Sequence, residues 1–370
     1  MNIPLFKKMI LAGVIAGAIY FSPKAKADVE LVISGGNASS SILFDRATNL
    51  FGGTANFIAT FNTGSSTVRT YQGTIPGYTT GNATNLGTVT LDLILNGAIG
   101  GLTDIVAQNP ETTAAGSNLP PTVVDSSTSP GAVGLDASVL SALPVYVVPY
   151  VFIKNISANS GDTASITNLT PLQAAYLEGA KATIPATFFG GGGTNPVYFV
   201  GRNNQSAVRT EIDLNIGFTG QLQTYYTNGA PGSLPILDTT SQDPNGDFDP
   251  GLSSGSTLYN TVLAISNSIG TVAVSNAKAG AARLAFAGVP YSYSNVISGS
   301  YPLWFHEEYY YKNPGTAGAL TPSQATVLQL FYGSITNSAY TVSSLYTNIY
   351  IPESALNVSR TLDGGPITLK

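Results

Sequence analysis

The chain has 370 residues, no cysteine and a single histidine, His306, which excludes thiol catalysis, thiolate metal sites, iron–sulfur clusters and a two-histidine zinc site. Its 15 basic and 20 acidic residues leave a net charge of −5, a poor balance for a general binder of nucleic acid or anionic lipid. An anion could be held only locally, by a few aimed donors.

Residues 1–27 have the grammar of a secretory signal peptide: Lys7 and Lys8, an apolar run over 9–21, and Ala25-Lys26-Ala27 as the cleavage site. The apolar run is too short for a comfortable membrane span. No cysteine follows the cleavage site to carry a lipid. Cleavage after Ala27 leaves 11 basic and 20 acidic residues, a net charge of −9. The remaining length suits two lobes better than one. The expected location is the periplasm or the exterior.

VELVI (29–33) predicts a strand, followed by GGNASSS (35–41) and a helix whose Leu43, Ala47 and Leu50 share one face. Gly52 should end that helix, and the serines before it read first as N-caps. TVTLDLIL (88–95) is a second strand, ending in NGAIGG (96–101). Residues 107–130 are polar and rich in Pro, Ser and Thr, and read as an excursion loop. The apolar run PVYVVPYVFIKN (144–155) contains Pro149, which suits a segment that leaves one sheet and enters another. NLTPLQAAYLEGA (168–180) marks a helix: Thr170 as N-cap, Pro171 first, Gln173 closing a capping box, Gly179 as the stop. Thr321, Pro322, Gln324 and Gly333 repeat the grammar. VYFV (197–200) is a strand, and Ser206 precedes Ala207, Val208, Ile212 and Ile216 at helical spacing, with Arg202 and Arg209 beside the turn. Strands alternating with capped helices predict an α/β fold over an all-β surface protein.

Three motifs carry competing readings. DPNGDFDPG (243–251) spaces Asp243, Asn245 and Asp247 as in a calcium loop, but Phe248 stands where the sharp turn needs glycine and Ser254 where a glutamate belongs, so a solvated turn is the better reading. Gly190 to Gly193 lack the Gly-Lys-Ser/Thr of a phosphate loop. His306, Glu307 and Glu308 near Trp304 could serve acid/base chemistry, but no nucleophile motif accompanies them and a structural cluster is favoured. No metal site or cofactor is expected.

What remains is a repeated design: strand, small or polar turn, helix start. It occurs around Ser34–Ser41, Asn96–Gly101 and Arg202–Ser206. Each turn would aim free backbone N–H groups and a positive helix end at one place. Open α/β sheets put their ligands at the carboxyl ends of the strands.

In these blocks the sequence resembles the phosphate-binding periplasmic proteins of ABC transporters. PVYFVGRNNQSAVRTEI (196–212) is similar to the family's strand, arginine and Ser-Gly-Thr helix start. NLTPLQAAYLEGA is similar to a family helix, and GVPYSYSNVISGSYPLW (288–304) to its glycine, Tyr-Pro-Leu segment. The resemblance implies a two-lobed type 2 periplasmic-binding fold. Lobe one would combine 28–150 with 278–370, and lobe two would be 151–277, with crossings near Val147 to Asn155 and Ile269 to Ala277. It also implies Arg202, Ser206, Ser39, Ser40 and, less surely, Ser41 as anion ligands. Asp136 would accept a proton from the ligand, favouring a protonated phosphate over sulfate.

Ala207 and Val208 replace the family's Gly-Thr. One hydroxyl donor is lost, which costs a buried anion about 1–3 kcal/mol, roughly tenfold to a hundredfold in affinity. The implied role is a solute-binding protein that delivers phosphate or a similar oxyanion to a membrane ABC transporter permease and catalyses nothing. The rival is an exported structural or adhesive protein that keeps the fold without tight ligand binding, motivated by a charge-poor surface rich in Tyr and Asn. A secreted hydrolase using His306 is a third, with no nucleophile elbow to support it.

Overall fold

The structure is a computed structural model that describes residues 29–53, 61–62, 67–77, 86–156, 161–180, 184–229, 232–243, 246–337 and 349–370. The signal peptide expected over 1–27 and Asn245 of the calcium-like loop lie outside the described residues. Among the described residues no helix is long and apolar enough to cross a membrane.

The principal strands are β1 (Val29–Gly35), β2 (Val68–Gly73), β3 (Val89–Ile94), β4 (Val123–Ser126), β5 (Leu140–Asn155), β6 (Tyr198–Val200), β7 (Ser268–Ala273) and β8 (Trp304–Lys312). The helices are α1 (Ser40–Leu50), α2 (Ala98–Ala107), α3 (Pro171–Gly179), α4 (Ala207–Ile216), α5 (Gly255–Ala264), α6 (Tyr293–Ile297) and α7 (Pro322–Thr336). The strands form one mixed sheet in the order β6-β7-β5-β8-β4-β1-β3-β2, with Phe61–Asn62 at the edge beyond β2. β1 runs parallel to β3 and β4, and β6 runs parallel to β7. The carboxyl ends of β1, β3 and β4 therefore share one edge.

β5 holds the two halves of the sheet together. On one edge it pairs with β8 from Leu140 to Pro149, and on the other with β7 from Tyr150 to Lys154. Pro149 has no N–H to donate, and the change of partner falls beside it. The sequence expectation of a segment shared between two sheet regions holds, but as one unbroken strand of 16 residues. On the edge that β8 leaves, Ala281–Arg283 pair with Ile153 to Asn155, and Ala285–Phe286 pair with Asn168–Leu169. Residues 281–286 thus pair within the second half of the sheet.

The helix starts follow the sequence grammar. Thr170 and Thr321 accept from the amides of Gln173 and Gln324 in complete capping boxes. Gly333, expected as a stop, lies inside α7, which continues to Thr336; that helix ends where Asn337 turns extended. α1 buries Ile42, Leu43, Phe44 and Ala47 and packs against α7, which in turn covers β1. β4 is the element the sequence hid, since it carries only Val123 and Val124 as apolar residues inside the polar stretch 107–130.

Leu43 is fully buried at the α1 face. Leu43→Ala should destabilise the protein by about 2–5 kcal/mol. A lower urea midpoint with an unchanged slope would be the readout.

Candidate functional site

Gly35 ends β1 where a side chain could not fit: a Cβ there would lie 2.3 Å from the carbonyl oxygen of Asp125 on β4. The chain then turns through Gly36, Asn37 and Ala38 into a short 3-10 turn and α1. β3 ends similarly, and Gly97 and Ala98 open α2. From the second half of the sheet, β6 leads through Gly201 and Arg202 to Gln205 and Ser206, and Ala207 and Val208 open α4. All three turns line one narrow, partly open cavity of about 20 Å³, with Ser127, Tyr150 and Glu307 completing its wall. The second and third of these turns approach across it, since a Cβ on Gly97 would come within 3.5 Å of the Gln205 carbonyl oxygen. Ala98, Ala207 and Val208 are first-turn residues, whose amides have no acceptor within their own helices.

Arg202 is 9 % exposed and lines this cavity. Its Nε donates to the carbonyl of Leu252 and its Nη2 to that of Ser253, each at 2.8 Å. Gly251 makes this approach possible: it has a positive φ of 121°, and a Cβ there would lie 2.5 Å from the Arg202 carbonyl carbon. Burial pulls the guanidinium pKa down to about 10, so it stays charged at neutral pH.

The other predicted residues separate. Ser206 lines the cavity and precedes α4 without capping it through its side chain. Ser39 is fully buried and caps nothing either; its hydroxyl sits beside Asp125 and Glu307 without a formed hydrogen bond. The expectation that the serines are N-caps is corrected there. Ser40 faces an adjoining polar opening shared with Arg69 and Ser254, and Ser41 bonds the Tyr350 hydroxyl at 2.9 Å. Tyr350 in turn donates to the carbonyl of Ala38 at 2.8 Å, which steadies the first turn.

Asp136 is not at the cavity. It is exposed, and its carboxylate caps a short turn by accepting from Ser138 at 2.9 Å. The Ser138 bonds hold its pKa below the usual value. It precedes β5 at Leu140, while the cavity lies at Tyr150, about 33 Å along an extended strand. Arg209 also points elsewhere, pairing with Asp213 at 3.5 Å and Asp249 at 3.7 Å.

The acidic groups at the cavity are Glu307, 2 % exposed, and Asp125 behind it. Asp125 stands opposite Tyr309 in the β4–β8 ladder, so Glu307, two residues away on the same face, is its diagonal neighbour. Burial pushes Asp125 up to about 7 and Glu307 well above the usual carboxyl range. Two facing carboxyls satisfy each other only when one carries a proton. Sequence reading missed Asp125 because it sits in the hidden strand. It noticed Glu307 in the His-Glu-Glu run, where His306 is indeed structural: its Nδ1 meets Glu353 at 2.5 Å. Burial lowers the His306 pKa, but the Glu353 bond and charge outweigh this and raise it. In the calcium-like loop, the Asp243 carboxylate accepts from the Asp247 amide at 2.9 Å and closes the turn locally.

No family model matches the chain, and no curated protein does. Solved structures do. A putative phosphate ABC transporter substrate-binding protein from Clostridium perfringens, with bound phosphate, superposes with a TM-score of 0.53 at 14% identity, over 87% of this chain and 99% of that one. An ABC-type phosphate transport receptor from Vibrio cholerae gives 0.51 at 14% identity, again over 87% and 99%. The chain has the two-lobed periplasmic-binding fold. At such identity the likeness carries the fold and not the ligand.

Asp92 and Glu111 are also pushed up to about 7, mainly by burial. Unfolded, such groups release their protons near 4; folded, these three hold them to about 7. Folding therefore takes up protons between those values, and stability falls as pH rises through that window. Urea denaturation should give a higher midpoint at pH 5 than at pH 8, and Asp92→Asn should flatten part of the difference.

Proposed function

We propose that the protein is an exported solute-binding protein that holds a small oxyanion of the phosphate class and passes it to a membrane ABC transporter. Export would remove residues 1–27. The observation that carries this reading is the convergence of three separate strand-to-helix turns and one buried arginine on a single small cavity. First-turn amides from two helices and the Arg202 guanidinium form a ready anion environment. Ligand groups then come from Arg202, Ser206 and the turn Gly36 to Ala38, with Ser39 acting from below through the carboxyls. Two lobes closing about β5 would desolvate the anion, with lobe two extending through Phe286.

The rival, a fold kept without tight binding, draws on one observation: two donor positions of Arg202 are already spent on backbone carbonyls. Calorimetry separates the two. Phosphate or sulfate titrated into residues 28–370 should release or absorb heat above dilution. Ser206→Ala should weaken binding roughly tenfold, the cost of one lost donor to a buried anion. Absence of heat with both anions would remove the transport reading in favour of the rival.

A further inference from the structure

Beyond the residues that face an anion, the cavity has an acidic wall that a simple anion trap would not need. Glu307 lines it, is 2 % exposed, and has its Oε2 buried without a hydrogen-bond partner. Both carboxylate oxygens of the fully buried Asp125, and the Ser39 hydroxyl, are in the same condition. The ladder register brings the two carboxyls onto one face beneath the cavity. Two carboxyls and one hydroxyl hold two protons in the form that satisfies their contacts: one on Ser39 and one between the acids. A second carboxyl proton can still be added.

We infer that the Asp125–Glu307 pair is a proton-loading element of the anion site, so that capture of an oxyanion is coupled to uptake of one proton from solvent. This rests on the solute-binding reading. The cation lining the cavity is Arg202, which offsets a single negative charge. An anion beside Glu307 then makes the remaining carboxylate charge of the pair costlier, and protonation removes that repulsion. The proton passes from solvent to a carboxylate oxygen; no other bond forms or breaks.

The groups facing the pair from the surrounding elements do not oppose this. Tyr146 and Tyr150 on β5 and Tyr309 on β8 are held neutral, their hydroxyls raised well above the usual value by burial. Glu211 on α4 adds further negative charge or a further proton, and is itself pushed well up by burial. Asp125, at about 7, supplies the titration within the working range.

The test is calorimetry of the protein with sodium sulfate and with inorganic phosphate, in two buffers of different ionisation enthalpy at pH 7 and pH 8. Sulfate does not titrate there, and comparison with variants cancels the proton exchange of phosphate. The expected result is uptake of up to about one proton per anion, and an association constant that falls up to about tenfold per pH unit above 7. Asp125→Asn combined with Glu307→Gln should abolish the uptake, and each single change should reduce it. Both substitutions keep shape and remove a costly buried charge, so circular dichroism should show the fold retained. Binding with the same proton count in wild type and double variant overturns the inference and leaves the solute-binding reading intact. Absence of heat with both anions overturns both.

Discussion

One strand decides where the chemistry of this molecule can occur. β5 is too long to be served by one neighbour, and Pro149 removes a donor near its middle. The strand therefore gives its first part to β8 on one edge and its second part to β7 on the other. At that change of partner the two halves of the sheet meet. Tyr150, the first residue beyond the proline, lines the cavity. Because β1, β3 and β4 are mutually parallel, their carboxyl ends all reach this place, and β6 arrives from the other side. The site follows from strand direction, with no residue of the site required to produce it.

The charge arrangement around the cavity is more even than an anion trap would suggest. Arg202 is paid for in advance by two carbonyls, which hold the guanidinium in place but also occupy part of it. Opposite stand two buried carboxyls whose burial and mutual repulsion raise their pKa values and favour a shared proton. The result is a cavity with one fixed positive group, helix amides, and an acidic wall whose charge depends on pH. That combination suits a ligand whose charge is small or is balanced as it binds. The likeness to solved structures is one of fold and does not bear on this charge arrangement.

The fold was largely legible from local chemistry. The capping boxes at Thr170 and Thr321 appear as read, because a hydroxyl, a proline and a glutamine at fixed offsets satisfy amides that no other partner reaches. The helices after Ser39 and Ser206 begin where their apolar spacing begins. The misreadings share a cause, which is that tertiary contacts overrode a local signal. Gly333 was a stop only on local grounds, and packing carries α7 past it. The serines before α1 had the right type for caps, but Ser39 is drawn down to two carboxyls that lie nearly ninety and more residues away in sequence.

Residue type and spacing by themselves determined the strand–turn–helix units, the α/β class and the short list of turns able to hold an anion, since each depends on bonds within about four residues. Only the tertiary structure decided which acids belong to the cavity. Asp136, chosen for its sequence neighbourhood, lies a strand's length from it. Asp125, in a strand with two apolar residues, is brought there because β4 finds β1 and β8 as neighbours. Proximity across a sheet is set by strand order and register, and a single chain read from end to end does not contain the pairing that fixes them.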